Sequence, residues 1–124
     1  MKALIKIIFL IFPFSFIACK DDSISNNQSE NLFVCGIKDP LDNVKWLKNE
    51  FEKLEGGPEV NGIVLYKYEG KEVIEVQGSL FSSTNQHQYY CNGDRLDLND
   101  PDVFDQYTKK RTLVGVLYGT KLWQ

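Results

Sequence analysis

Hydrophobic and polar positions divide the chain into three stretches. Leu4 to Ile17 is a nearly continuous apolar run, Lys20 to Asn31 is serine, asparagine, glutamine and acidic residues around a single Ile24, and a mixed pattern runs from Leu32 to the end. Only the third stretch has the periodicity of a folded domain. Leu41, Val44, Leu47, Phe51 and Leu54 recur at helical spacing after Asp39-Pro40, an aspartate to cap free amides and a proline that needs no donor in the first turn. Trp46 falls off that stripe. A helix that starts instead near Lys45 gathers Trp46, Leu47, Phe51 and Leu54 on one arc, and this register is preferred, with Gly56-Gly57-Pro58 as the stop.

The next stretch alternates. Gly62 to Tyr68 and Lys71 to Gly78 switch between apolar and polar positions around Glu69-Gly70, the signature of a tight hairpin. In that register Ile63, Leu65, Ile74 and Val76 share the face that should meet the helix, and Lys67 lies opposite Glu72. Val64, Tyr66, Tyr68 and Val73 share the other face with Lys71 and Glu75. This half-polar aromatic face is a candidate contact surface, because tyrosine offers area at low entropy cost; that the tyrosines cover the sheet or a second layer is the preferred reading. Gln86 to Leu96, turning at Asn92-Gly93, reads as a second short hairpin. Asp100-Pro101 opens a short helix that ends near Lys110, and Thr112 to Tyr118 is a last strand with Leu113 and Leu117, or Val114 and Val116, facing inward. Leu122 and Trp123 are too apolar for an idle tail and should dock. The pattern predicts an α+β domain over residues 32–124: one main helix on an antiparallel sheet of about four strands, with a short second helix.

The first stretch has a different logic. Lys2 and Lys6 precede and punctuate the apolar run, and Phe16-Ile17-Ala18-Cys19 closes it with a small residue before a cysteine. This resembles a bacterial lipoprotein signal with Phe16 in place of the usual leucine. The run falls short of the roughly 20 apolar residues that span a bilayer, and Pro13 interrupts it. The resemblance implies that residues 1–18 are removed, that Cys19 carries lipid, and that acyl chains anchor the protein durably. Residues 19–31 are then a flexible tether that holds the domain roughly 20 Å from the lipid. Cys19-Lys20-Asp21-Asp22 resembles the export signal that sends Bacteroidota lipoproteins to the outer face of the outer membrane, so cell-surface localisation is expected.

Charge narrows the partners. The 124 residues carry 14 basic and 17 acidic side chains, a formal net charge of −3, and loss of the two leader lysines makes the balance more acidic still. That excludes a nucleic-acid protein of the usual cationic kind. Lys109-Lys110-Arg111, the one basic cluster, reads as a solvated helix end. Of three cysteines, Cys19 is assigned to lipid, which leaves Cys35 and Cys91 one possible pairing. A disulfide is the expected state outside the cytoplasm.

Cys35-Gly36, Asp39-Pro40-Leu41, Trp46-Leu47-Lys48, the tyrosine-rich hairpin and Tyr90-Cys91-Asn92-Gly93 together resemble a small domain of Bacteroidota lipoproteins whose function is not established. The resemblance implies no catalytic residues. His87 is the single histidine, which removes zinc's commonest companions, and a Cys91–His87 nucleophile requires an unpaired Cys91. Asp94, Asp97, Asn99, Asp100 and Asp102 suit hard cations, but counting from Asp97 places Asp102 where a calcium loop wants glycine and Thr108 where it wants glutamate. Turn formation and capping account for them instead. The expectation is a non-enzymatic binding domain without cofactor or metal. It is held to the membrane by its lipid and meets a protein or glycan partner; a periplasm-facing assembly or structural accessory is the alternative.

Overall fold

The computed structural model describes residues 33–124. The signal, Cys19 and the whole tether lie outside the described residues. Among the described residues no helix is long and apolar enough to cross a membrane.

Four antiparallel strands form one sheet in the order β3-β2-β1-β4, where β1 is Asn61–Tyr68, β2 Lys71–Gly78, β3 Gln88–Tyr90 and β4 Thr112–Gly119. The β1–β2 register is the one expected: Ile63 opposes Val76, Leu65 opposes Ile74 and Lys67 opposes Glu72. Glu69 and Gly70 both take positive φ, 50° and 75°, as a two-residue turn matched to the strand twist requires. β3 is short, but the chain returns beside it through Tyr90 N–H to Asp94 carbonyl (2.8 Å) and Leu96 N–H to Gln88 carbonyl (3.0 Å). The second hairpin therefore exists with a single bridge, Tyr89 to Arg95.

The α+β class holds, but no one helix dominates. α1 (Pro40–Asn43), α2 (Lys45–Glu52) and α3 (Pro101–Lys110) have 4, 8 and 10 residues, so the helix expected to be the minor one is the longest. Val44 is extended and separates α1 from α2, which starts at Lys45 as the Trp46 register requires. Asp100 caps α3 as expected, its carboxylate accepting from Asp102 N–H and Val103 N–H. Asp39 does not act this way. It sits in the left-handed region at φ 50° and makes no side-chain cap; its carbonyl accepts from Asp42 N–H and Asn43 N–H. A following proline disfavours the right-handed helical region, and aspartate tolerates the left-handed one better than most residues.

Each face of the sheet has its own core. On one, Ile63, Leu65, Ile74, Val76, Tyr89 and Leu117 pack with Val34, Val44 and Leu47, and Trp46, Phe51 and Leu54 close the edge. On the other, Val73 packs with Leu96, Leu98 and Tyr107, flanked by Tyr68, Tyr90 and Phe104. The sheet is the middle of three layers. The tail docks as expected: Leu122 N–H and Trp123 N–H donate to Gln77 Oε1 at 2.6 and 3.1 Å. β4 departs from simple alternation. Two register shifts against β1 break its period of two, so Leu117 is buried while Leu113 and Val114 remain 49% and 47% exposed.

Candidate functional site

The aromatic face proposed from the alternation is not a free surface. Val64, Tyr66 and Val73 are buried, at 0%, 2% and 0% exposure, and only Tyr68 stays half-buried, edge-on to Tyr107 at 5.1 Å. The expectation is corrected for a physical reason: α3 brings Tyr107 onto this face, and Leu96 and Leu98 add the apolar cover of a second layer. Glu75, which with Lys71 made the face look half-polar, is itself buried, and so is Gln77 two residues on.

They are buried because they are paired. Glu75 Oε2 accepts from the Tyr107 hydroxyl at 2.8 Å and from the Arg111 guanidinium, and Glu75 Oε1 accepts from Gln77 Nε2 at 2.9 Å. Arg111 also lies over the rings of Tyr66 and Tyr107, at 4.2 and 5.1 Å, and its second nitrogen donates to the Gln124 carbonyl. Burial and then the Glu75 charge push the Tyr107 phenol well above its ordinary range. Burial raises Tyr66 as well, against the opposing pull of Arg111. The Tyr66 hydroxyl is buried without a hydrogen-bond partner. This cluster fastens one layer to another. Sequence reasoning missed it because Glu75 and Arg111 are 36 residues apart, and Arg111 read as the end of a solvated basic run.

The surface that remains lies at the β1–β2 turn end. Cys35 and Cys91 form the expected disulfide, with Cα atoms 5.5 Å apart. Around it Glu72 Oε2 accepts from Cys35 N–H at 2.6 Å, and Trp46 Nε1 donates to the Cys91 carbonyl at 2.9 Å. Gly93, at φ 90°, presses on the indole so closely that a Cβ there would sit 2.8 Å from Trp46 Cγ. Beside this braced corner opens a groove of about 730 Å³, lined by Lys67, Lys71, Glu72, Tyr90, Asn92 and Asp94. Lys71 Nζ stands 5.2 Å from the Tyr90 ring centre. The groove offers amines, carboxylates, an amide and an aromatic ring together.

No family model, no curated protein and no solved structure matches the chain. The site is therefore read from its own chemistry. Cys35, Glu72 and Cys91 hold possible ligand atoms within 4.8 Å of one another, but both sulfurs are spent in the disulfide and Glu72 is engaged by the Cys35 amide. His87 stacks on Phe81 at 4.1 Å, with Trp123 at 6.0 Å, and burial followed by Arg95 holds its imidazole below the ordinary value. Asp97 Oδ1 accepts from Asn99 N–H and Nδ2, the turn role expected of it, as capping is of Asp100.

Proposed function

We propose that the chain is a lipid-anchored protein of the outer membrane, displayed at the cell surface, whose folded part is a non-enzymatic binding module for a protein or glycan. The leader and Cys19 support the anchor. The groove beside the disulfide carries the binding reading: several polar groups and the Tyr90 ring converge there on a frame held by a covalent bond and the Trp46–Cys91 contact. Such preorganisation lowers the ordering cost of binding. The resemblance to a small domain of Bacteroidota lipoproteins agrees with this reading.

The test immobilises the full chain and challenges it with surface glycans, cell-envelope extract and external fluid. Wild type is compared with Lys71→Glu/Tyr90→Ala, and the urea midpoint of each is measured alongside, because Tyr90 also flanks the second-layer core. A saturable ligand lost in the double variant is expected. A ligand retained by it, or none for either protein, refutes the groove. A resident membrane protein as the ligand turns the reading toward envelope assembly.

A further inference from the structure

Lys67 and Glu72 stand opposite each other in the β1–β2 register, the placement in which opposite charges on neighbouring strands ordinarily pair. They do not pair. Glu72 Oε2 is taken by Cys35 N–H at 2.6 Å, and Cys35 is fixed there by its bond to Cys91. In the turn after β3, Asp94 Oδ2 accepts from Asn92 Nδ2 at 2.9 Å. Both carboxylates of the groove thus have donors within the frame. Its ammonium groups have no acceptor. Among the described residues the ion pairs are Lys53–Glu50, Lys109–Asp105 and Arg111–Glu75, and neither Lys67 nor Lys71 makes a side-chain hydrogen bond.

Unmet donors beside an aromatic ring narrow the chemistry of the ligand. Lys71 Nζ stands at the Tyr90 ring and Lys67 lines the same groove, so positive charge lies next to a flat apolar face. The chain as a whole is acidic, with a formal charge of −3, and its net charge does not draw an anion. Only the local cluster does, over a screening length of about 8 Å at physiological ionic strength. We infer that the ligand is an acidic glycan, a chain of sugar rings bearing carboxylates; the inference rests on the reading of the groove as the binding site. A uronic acid carries its carboxylate on a rigid ring whose C–H face suits Tyr90. An acidic peptide offers the same charge on side chains that lose rotamer freedom when held, and has no such face. A rigid ligand matches a groove whose own frame is braced by the disulfide.

The full chain is titrated with oligomers of galacturonate, of its methyl ester, of chitosan and of glutamate. The ester keeps the ring and loses the charge, chitosan keeps the ring and reverses the charge, and oligoglutamate keeps the charge without the ring. Oligogalacturonate should bind saturably and more tightly than the other three, and added salt should weaken it. Lys67→Gln and Lys71→Gln should each weaken it about fivefold, the scale of one exposed charge pair. Both side chains are exposed, so the urea midpoints should stay in place. Lys53→Gln removes the same charge just past α2, where Glu50 already pairs it, and should leave binding unchanged. Tighter binding of the ester or of chitosan, still sensitive to Lys71→Glu/Tyr90→Ala, keeps the groove as a site and overturns the acidic glycan. Tighter binding of oligoglutamate overturns it in favour of an acidic peptide. Oligogalacturonate binding that ignores Lys67 and Lys71, or that falls equally with Lys53→Gln, overturns it too. So does the absence of binding by every probe, and the groove itself then stands or falls by the screen with envelope extract.

Discussion

Replacing Arg111 by methionine tests whether the second layer is fastened by a charge pair or merely covered by apolar side chains. The Arg111 and Glu75 side chains are 4% and 1% exposed, so the substitution leaves a carboxylate with no counter-charge and almost no water. Its remaining donors are the Tyr107 hydroxyl and the Gln77 amide. Removing one partner of a buried pair costs about 3–5 kcal/mol, a large part of the roughly 5–15 kcal/mol that holds a domain folded. In urea, with a slope of about 2 kcal/mol/M, the midpoint should fall by about 1.5–2.5 M. Arg111→Lys should recover only part of this, because an ammonium cannot lie flat over both Tyr66 and Tyr107 while it reaches Glu75. The decisive variant is Glu75→Leu/Arg111→Met, which removes both charges. It should be more stable than Arg111→Met alone, with a coupling of at least about 1 kcal/mol in the double-mutant cycle. The measurement is urea unfolding of the oxidised protein followed by tryptophan fluorescence. A loss below about 1 kcal/mol for Arg111→Met, or additive losses in the double variant, would refute a buried and mutually dependent pair.

Replacing both Cys35 and Cys91 by alanine opens a loop with a sequence separation of 56 residues, and the chain-entropy relation gives a loss of about 4 kcal/mol, to be read by the same urea titration. Gly93→Ala should destabilise and red-shift the tryptophan emission, since the added methyl demands an unfavourable φ and displaces Trp46 from the Cys91 carbonyl. His87 gives a pH dependence. Its folded pKa lies below the unfolded value of about 6.5, so the unfolded chain binds the proton first, and this contribution to stability is complete above pH about 6.5 and lost as pH falls below it. Unfolding midpoints measured from pH 7.5 to 5 should fall less steeply for His87→Gln than for wild type, and parallel curves would exclude the role.

The elements set by near neighbours were legible in the sequence. The β1–β2 hairpin follows from alternation and a turn, α3 from Asp100-Pro101, and the start of α2 from the need to bring Trp46 to the core edge. The disulfide followed once Cys19 was set aside. What could not be seen was the pairing of distant polar residues. Glu75 and Gln77 alternate along β2 as solvent-facing residues do, and nothing within several positions shows that Arg111 and the 122–123 amides will reach them. With those partners hidden, the face carrying Val64, Tyr66, Tyr68 and Val73 stayed a candidate contact surface beside the preferred reading that it is covered. A weak signal was present in Tyr107: an aromatic residue on a short helix following an Asp-Pro cap implies something for that helix to cover. Of the groove only the hairpin side was legible, with Lys67 opposite Glu72 beside Lys71; Tyr90 and Asp94 join it through the β2–β3 pairing and the turn that follows β3.

The positions of Glu75 and Arg111 in the chain also bear on how the protein is made. Synthesis presents the N-terminal part first. The hairpin, β3 and the whole layer around Leu47 precede Arg111, β4's later half and Leu122 in that order. Until those residues arrive, the β2 face that will be buried has Glu75 and Gln77 open to water, where both are well hydrated. The same two side chains that water can serve in an unfinished sheet thus become the interlayer fastening once Arg111 and the 122–123 amides take the place of solvent.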